Sequence, residues 1–338
     1  MKALRIALLA AGAAALAILV ERAGLPAIAG MMRRAGPTFV GIVALRFVYI
    51  GMRAIALVAC LPAGALAPRD AMGLRVVGES LEVLTLMGPF VAEPSKAWLL
   101  KRQGLQTADA FGGVFGEYLL YSVLAGWMCG LSYMLIPASS LPDAMRRGAA
   151  FYIAGIIAIT AALTYALLTG KTLIAALLRR LRAPERLVSS IAKGEAVITR
   201  LSTQPRRVLL AITAQAAAHL LLALEAWLVF RAIGTPMPAI FAVAFEGAAK
   251  LVDVAFFFVP GHLGAQEAFY EMLAPALGAV PAAGLTLALL RRMRGLVVAV
   301  VGLALLARWE SAARSTRVES TSPPEASPSA PRSSAERE

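Results

Sequence analysis

The sequence is short of charge, and this shortage excludes a protein that is soluble in water. Asp, Glu, Lys and Arg make up only 16% of the 338 residues, whereas 59% are hydrophobic. Soluble domains carry about 25% charged residues and about 45–50% apolar ones. Since one water-soluble core could not hide this apolar excess, we predict an integral membrane protein.

Residue types that build disulfides, metal sites and catalytic sites are also scarce. The chain has two cysteines, Cys60 and Cys129, both inside apolar runs, and two histidines, His219 and His262. A disulfide framework is excluded, and a zinc site is not expected. The P-loop, H-E-x-x-H and G-x-S-x-G motifs and paired aspartates are absent as well. We therefore predict no metal, no cofactor and no enzymatic activity.

The charge that is present is mostly basic, with 33 Lys and Arg against 20 Asp and Glu and a formal net charge of +13. The basic residues lie between apolar runs and do not line one polar face, so we expect no nucleic acid as a partner. We expect the acidic partner to be the phosphate surface of a lipid bilayer.

Six apolar runs are each long enough to cross a membrane, for which a helix needs about 20 residues. The first run follows Lys2 and Arg5 and resembles a secretory signal peptide, but Glu21-Arg22 is more typical of the end of a membrane anchor. The six runs are residues 3–20, 38–60, 108–136, 149–169, 208–230 and 283–307.

The connection 171–207 sets the predicted orientation, because it carries nine basic and two acidic residues and basic loops stay in the cytoplasm. We expect a bacterial inner-membrane protein with both termini in the cytoplasm. Arg33 and Arg34 then fall on the outer side, which disagrees with this scheme. Residues 1–310 are predicted to form the membrane domain. The tail 311–338 is rich in Ser, Pro, Glu and Arg and is predicted to be disordered.

Two regions are too polar and too interrupted to be ordinary spans, and we predict that each forms a broken or re-entrant helical hairpin. Both regions, 74–100 and 238–278, carry charges inside an apolar run, then a Gly/Pro break, then a second charged segment. In the first region these residues are Glu79, Glu82, Gly88, Pro89, Glu93 and Lys96. In the second they are Glu246, Lys250, Asp253, Pro260, Gly261, Gly264 and Glu267.

The chemistry of these breaks favours a binding site. Glu246, Lys250 and Asp253 are spaced to share one helix face, and a charge inside a membrane must face protein, water or a ligand. Backbone freed by a break is tolerated only in a cavity or buried in protein. A helix that starts after the break would point its positive end at an anionic head group. The alternative is two hairpins held by internal ion pairs, with no ligand.

The likeness of the two regions bears on the fold. Paired interruptions in the two halves of a chain are typical of transporters built from repeats, which bind their substrate between the repeats. The two regions share few identical residues, and an inverted repeat is one of the architectures that fit them. The predicted fold is all-α and polytopic, with about six full spans plus the two hairpins.

Further polar residues lie inside apolar runs. Arg46 and Arg53 are seven residues apart and share a helix face, and we expect Arg53 to extend toward a membrane interface. Glu117 is predicted to be the counter-ion of an arginine. Three arginines near the start of the last run either bind a lipid phosphate or form an interfacial cluster; they are Arg291, Arg292 and Arg294.

These motifs resemble a known family. The segment FFFVPGHLGAQEAFYEMLAPALG (256–278) resembles the signature of the flippase-like transmembrane family named for lysylphosphatidylglycerol synthase, and Gly88, Pro89, Glu93 and Lys96 followed by KRQGL resemble its earlier motif. Glu117-Tyr118 also fits the family. PGHLGAQE and the C-terminal LALLRRMRGLVVAVVGLALLARWE are similar to the branch associated with hopanoid biosynthesis. Ala268-Phe269 stands where the family often has Gly after the Glu, which puts the helix packing there in doubt.

The resemblance covers residues 1–310 and implies a polytopic domain that handles or translocates a lipid. In the synthase members this domain is fused to a cytoplasmic aminoacyl-transfer domain, which we do not expect in this chain. We predict a protein that binds an amphipathic lipid and moves or presents it between leaflets, the lipid being a hopanoid, an anionic phospholipid or a polyprenyl-linked lipid. The alternatives are a non-transporting scaffold for lipid-modifying enzymes, including those of hopanoid biosynthesis, and an intramembrane enzyme.

The predicted lipid site is a central cavity lined by the charges and breaks of both hairpins. The arginines outside the hairpins would neutralise carboxylates or bind a phosphate. The predicted site residues are Arg46, Glu79, Gly88, Pro89, Glu93, Lys96, Glu117, Glu246, Lys250, Asp253, Pro260, Gly261, Gly264, Glu267, Arg291, Arg292 and Arg294.

Overall fold

Apolar runs of this chain form helices, because backbone N–H and C=O groups inside a membrane find no water and must hydrogen-bond to each other. The structure, a computed structural model, describes residues 21, 25–85, 88–136, 143–182, 184–256 and 262–321. Within these ranges it contains eleven α-helices and no strand, which confirms the all-α prediction. The helices are α1 (Leu25–Cys60), α2 (Pro68–Leu84), α3 (Pro89–Arg102), α4 (Thr107–Leu135), α5 (Asp143–Thr169), α6 (Leu173–Arg180), α7 (Glu185–Ser202), α8 (Pro205–Ala232), α9 (Ala239–Ala255), α10 (Ala265–Ala276) and α11 (Pro281–Thr321).

Four of the helices are long and apolar enough to cross a membrane, so the chain is a multi-pass membrane protein. These stretches are Ala29–Cys60 in α1, Thr107–Leu135 in α4, Arg147–Thr169 in α5 and Pro205–Ala232 in α8. They coincide with four of the six predicted runs. The predicted run 3–20 lies outside the described residues. The run 283–307 lies in helix α11, where Arg291, Arg292 and Arg294 interrupt the apolar residues.

The two broken regions form helical hairpins, as predicted. Helices α2 and α3 pack together, and so do α9 and α10. The second helix of each hairpin begins after a glycine with positive φ, 42° at Gly88 and 78° at Gly264. Most residues with a side chain are strained in such a conformation. Pro89 takes the first position of α3, where its missing N–H costs nothing. Pro260 and Gly261 lie outside the described residues.

The hairpins pack deep among the long helices. Helix α1 packs along α8, α4 against α9, and α2 against α11. Two glycines allow the last two pairs to approach closely: Gly247 of α9 faces Ser132 of α4, and Gly302 of α11 faces Ser80 of α2. A Cβ atom at either glycine would overlap the facing serine. The first helix of each hairpin is therefore fixed against a long helix from the other half of the chain.

Helices α6 and α7 form the basic connection between the two halves. Helix α7 packs on α4, where Val197 lies over Gly112 and Ile198 over Gly116. The Glu195 carboxylate accepts a hydrogen bond of 3.0 Å from the Ala175 N–H and thereby holds the start of α6 on α7.

The periphery and the C-terminal end are simpler. Helix α5 packs on α4 and α7, and only 6% of its apolar stretch is buried, so most of its surface faces the surroundings. Helix α11 continues to Thr321, past residue 311, where we placed the start of the tail. Residues 322–338, the rest of the predicted tail, lie outside the described residues.

Candidate functional site

A first network of buried ion pairs joins helices α1, α2 and α4; we define it as Arg46, Arg53, Arg75, Glu79 and Glu117. Glu117 accepts from Arg53 Nη2 and Arg75 Nη1, each at 3.0 Å. Arg75 Nη2 also lies 3.2 Å from Glu79 Oε1, one helical turn away. Arg46 donates to the other oxygen of Glu79. Four of these side chains are at most 4% exposed, namely Arg53, Arg75, Glu79 and Glu117. At this depth a charge without a partner is strongly destabilising, so the pairing is required.

Helix α8 and an aromatic ring complete the surroundings of this network. Gln215 of α8 donates to Glu117 Oε1 at 2.5 Å. The guanidinium of Arg53 lies 3.9 Å from the ring centroid of Tyr121, in the geometry of a cation–π contact. Glu117 is the counter-ion of an arginine, as the sequence predicts, but Arg53 does not extend to an interface. Its partner Glu117 lies at the same depth, so Arg53 is held inside.

A second network joins helices α8, α9 and α11; we define it as Glu225, Glu246, Lys250, Arg291 and Arg294. Arg291 lies 2.9 Å from Glu225 and 2.7 Å from Glu246. Lys250 pairs with Glu246 at 2.8 Å, and Arg294 pairs with Glu225. The hydroxyl of Tyr270 on α10 accepts a further hydrogen bond of 2.7 Å from Arg291. All five charged side chains are at most 8% exposed.

The two networks adjoin, and we call them together the ionic core. Tyr121 lies between them, because its ring centroid is 3.9 Å from the Arg53 guanidinium and 6.0 Å from Lys250 Nζ. Helices α1 and α11, which carry Arg46 of the first network and Arg294 of the second, also pack together. The structure therefore brings together charges from six helices that the sequence could only place separately.

Residues at equal positions in helices of the two networks carry opposite charges. Helices α2 and α9 are both 17 residues long, with Arg75 and Glu246 at the eighth position and Glu79 and Lys250 at the twelfth. The intrahelical pair Arg75–Glu79 in the first network thus corresponds to Glu246–Lys250 in the second, with the signs exchanged.

The same exchange holds for the long helices. Glu117 and Arg291 are each the eleventh residue of their helices, α4 and α11. Arg53 and Glu225 each lie seven residues before the last residue of α1 and α8. The ion pairs Arg53–Glu117 and Arg75–Glu117 therefore reappear as Glu225–Arg291 and Glu246–Arg291 with every charge reversed.

Other charged residues of the predicted site lie beside the ionic core and form ion pairs or hydrogen bonds with their neighbours. Lys96 and Glu93 of α3 form an ion pair of 2.7 Å, and the stem of Lys96 passes over Gly78 of α2. Glu267 accepts a hydrogen bond of 2.8 Å from the Gly264 N–H and another of 2.9 Å from Arg292 Nε. Glu267 thus caps the start of helix α10.

Asp253 and Glu82 are two further acidic residues of the hairpins. Asp253 belongs to helix α9. Glu82, from the first broken region, is partly exposed and forms no ion pair within the part of the chain that the structure describes.

Sequence reasoning left out several members of the ionic core. Arg75 could have been found, because it lies four residues before Glu79, the spacing of an intrahelical ion pair. Glu225 and Arg53 were visible as charges inside apolar runs, but nothing in the sequence pairs them with Arg291 and Glu117. Their partners are set by the packing of helices far apart in the chain.

A polar cleft lies elsewhere, between the end of α1, the start of α4 and helix α7. Arg207 donates there to the backbone carbonyls of Val58 (2.9 Å) and Leu61, and Arg200 pairs with Asp109 at 2.8 Å. None of the predicted site residues lines this cleft. Over the described ranges no group of three His, Cys, Asp or Glu side chains could hold a metal ion.

An all-helical, multi-pass chain whose two hairpins each contribute charges to a buried ionic core belongs to the class of polytopic membrane proteins. More narrowly, the chain belongs to the family described as the lysylphosphatidylglycerol synthase TM region, whose model matches residues 3–302. This match confirms the family resemblance read from the two motifs, and it does not distinguish the hopanoid-associated branch. No curated protein and no solved structure matches the chain.

Proposed function

We propose that this protein binds an amphipathic membrane lipid and moves it between the two leaflets. The observation that carries the proposal is the ionic core itself. A buried ion pair adds little net stability, because the cost of removing both charges from water offsets their attraction. Charged groups inside a membrane are therefore rare and mostly functional. Ten of them gathered in two adjoining networks favour a binding site over a purely structural one.

The reversed charges support an inverted repeat, in which α1–α4 correspond to α8–α11. The packing agrees with this correspondence, since the contact of α4 with α9 is matched by that of α11 with α2. If the basic connection 171–207 lies in the cytoplasm, α1 runs toward the cytoplasm and α8 runs away from it. The two hairpins would then enter the membrane from opposite sides. Transporters built in this way bind their substrate between the repeats and expose it alternately to each side.

The depth of the ionic core suits such a site. Arg46 lies 14 residues and Arg53 seven residues before the end of α1. At 1.5 Å per residue these positions are about 21 Å and about 10 Å from that end. Because the hydrocarbon core of a bilayer is about 30 Å thick, both arginines would lie well inside the membrane.

The remaining parts of the proposal follow from the orientation and the residue types. The protein would reside in a bacterial inner membrane with both termini in the cytoplasm. Its partners would be membrane lipids and enzymes of lipid biosynthesis, and it would itself catalyse no covalent reaction. A hopanoid is one of the lipids that we propose as the substrate.

A scaffold without transport activity is the second candidate, and one observation favours it. The charges of both hairpins pair internally, as in Glu93–Lys96 and the Glu267 cap of α10. In a scaffold these pairs would serve folding alone, and the hairpins would need no ligand.

Transport by purified protein in vesicles tests the proposal. The lipids are acyl-labelled phosphatidylglycerol, acyl-labelled phosphatidylcholine and a labelled hopanoid, and an impermeant reductant bleaches only labels in the outer leaflet. We expect the wild type to expose inner-leaflet label of at least one lipid and Arg291→Gln to slow this exposure about tenfold or more. Arg69→Gln is the matched control, since Arg69 is 90% exposed. If no lipid moves, and Arg291→Gln changes only the unfolding temperature, the scaffold is correct.

A further inference from the structure

Helix α6 exposes two leucines in the basic connection between the two halves. Leu177 and Leu181 are 57% and 69% exposed. They lie one helical turn apart, since the Leu181 N–H donates to the Leu177 carbonyl at 2.9 Å, so both side chains are on the same side of the helix. The connection around them, residues 171–207, carries nine basic and two acidic residues. An apolar patch with a charged rim is typical of a surface that another molecule covers.

Helix α7 fixes the direction in which these leucines point. Ala175 of α6 is completely buried, and its N–H donates a hydrogen bond of 3.0 Å to the Glu195 carboxylate of α7. Leu177 follows Ala175 by two residues, which is about 200° around the helix. The side of α6 that carries Leu177 therefore faces away from α7 and is held in that direction.

The packing of α7 places the connection at the level of the lipid head groups. Val197 of α7 lies over Gly112, the sixth residue of helix α4. Helix α4 has 29 residues and is therefore about 44 Å long, whereas the hydrocarbon of a bilayer is about 30 Å thick. The first turns of α4 thus extend into the head-group layer, and α7 lies beside them.

The chain also reaches α6 directly from a membrane span. The span Arg147–Thr169 ends four residues before Leu173, where α6 begins, so these two points are at most about 14 Å apart. With eight residues, α6 is about 12 Å long and too short to cross the hydrocarbon. Helix α6 therefore lies at the surface of the membrane that α5 crosses.

Two arginines adjoin the exposed leucines. Arg180 and Arg182 lie on either side of Leu181 in the chain, and both are exposed. Neither is paired with a carboxylate in the part of the chain that the structure describes. A helix with leucines on one side and arginines next to them is suited to the boundary between head groups and acyl chains. A guanidinium also matches the oxygens of a lipid phosphate, and an anionic leaflet attracts it.

We propose that Leu177, Arg180, Leu181 and Arg182 form a docking surface for an anionic phospholipid leaflet. The leucines enter the acyl-chain boundary, and the arginines bind the phosphates around it. In the predicted orientation this is the cytoplasmic leaflet. The inference is independent of the proposed lipid movement, because these lipids stay in their leaflet and bind the connection outside the ionic core. A soluble protein fits this surface less well, because it would have to displace the head groups to reach it.

Fluorescence of the full-length protein in vesicles tests whether the leucines enter the membrane. Leu177→Cys carries a polarity-sensitive label, and brominated acyl chains quench labels that reach them. Arg179→Cys with the same label is the control, because Arg179 is exposed and lies about 200° around the helix from Leu177. The native cysteines are buried and give little background. We expect quenching at position 177 and little at 179.

Two results of this measurement would overturn the docking surface. A label at 177 that emits as in water, without quenching, shows that the leucines do not enter the membrane and leaves them to a soluble partner. Equal quenching at 177 and 179 shows that the label itself, and not one side of α6, seeks the lipid.

The choice of an anionic lipid is tested with vesicles of a single composition, phosphatidylcholine with phosphatidylglycerol, in which only one of the two lipids is brominated. Each arginine at an anionic surface favours the charged lipid about fivefold, so brominated phosphatidylglycerol should quench the label at 177 several times more strongly. Arg180→Gln/Arg182→Gln should bring the ratio of the two quenching efficiencies close to one. Arg69→Gln is the control, since Arg69 is 90% exposed and lies outside the connection.

The same comparison can refute the role of the charges. Equal quenching by the two lipids in the parent protein shows that the surface does not select an anionic leaflet. An unchanged preference in Arg180→Gln/Arg182→Gln shows that these arginines do not bind the phosphates. Because both side chains are exposed, the double variant should keep the unfolding temperature of its parent, so loss of the preference reports on lipid binding alone.

Discussion

Glu117 and Arg291 are each the eleventh residue of their helices, α4 and α11, carry opposite charges, and each bind two partners of the opposite sign. Glu117 joins two arginines, and Arg291 joins two glutamates. Each residue therefore ties one long helix to the first helix of a hairpin. If a lipid enters between the halves, these two residues are the ones whose partners must rearrange.

Neutralising the centre of the first network should destabilise the protein. Glu117→Gln leaves Arg53 and Arg75 buried without a full counter-charge, and breaking a buried pair in this way costs about 3–5 kcal/mol. Asp109→Asn on the same helix is the control, because its partner Arg200 is 60% exposed and such pairs contribute about 0–1 kcal/mol. Thermal unfolding in detergent measures both. Equal unfolding temperatures for the two variants would show that Glu117 stabilises the protein no more than the exposed Asp109–Arg200 pair does.

The close contacts between the halves should not tolerate a methyl group. Gly247→Ala and Gly302→Ala each place a Cβ against a facing serine, and overpacking of this kind costs about 1–3 kcal/mol. Gly155→Ala in α5 is the control, since nothing lies within 4 Å of its Cβ position, and replacing a helical Gly by Ala is stabilising by about 0.5–1 kcal/mol. Unfolding temperatures that fall only for the first two variants confirm the packing. A fall of similar size in all three would contradict it.

The cap of α10 should affect stability and not lipid choice. Glu267→Ala removes the acceptor for the Gly264 N–H and the partner of Arg292, which costs about 0.5–2 kcal/mol for a helix cap. Its transport rate should fall only as far as the folded fraction falls, with the same order of preference among lipids. A changed lipid preference in folded Glu267→Ala would return this carboxylate to the binding site, where the sequence first placed it.

The inverted repeat that we propose predicts that the loops after α1 and α8 face opposite sides of the membrane. Ala63 follows the end of α1 and Pro236 follows the end of α8, and both are exposed. In spheroplasts an impermeant maleimide should label Pro236→Cys at once and Ala63→Cys only after the membrane is opened. The native cysteines are buried and give little background. Labelling of both positions from the same side would rule out the inverted arrangement.

Much of the fold could be predicted from the sequence, because membrane helices follow hydropathy and the hairpins follow Gly, Pro and charge. The breaks after Gly88 and Gly264 are local signals of this kind. The partners of Arg53 and Glu225 could not be predicted, since they depend on which helices pack together. Glu267 was assigned to a ligand, although its place three residues after Gly264 also fits a helix cap.

The correspondence that we propose between the halves could not be found by comparing residues. Arg75 against Glu246 and Glu117 against Arg291 count as mismatches in any letter-by-letter comparison. They become equivalent only when their ion pairs are compared, because a pair keeps its geometry when both charges are exchanged. Low identity between the two hairpins therefore carries no information about whether their structures correspond.

A reversible cross-link between the halves tests most directly whether lipid movement requires them to separate. Val83 of α2 and Gly295 of α11 lie across the contact between these helices, with a Cβ at 295 only 3.6 Å from a Val83 methyl carbon, so cysteine side chains at the two positions would be in contact. Val83→Cys/Gly295→Cys in vesicles should move no lipid when oxidised and should regain the rate of its single-cysteine parents when reduced. Transport that continues at the same rate in the fully cross-linked protein would contradict movement of a lipid between the two halves.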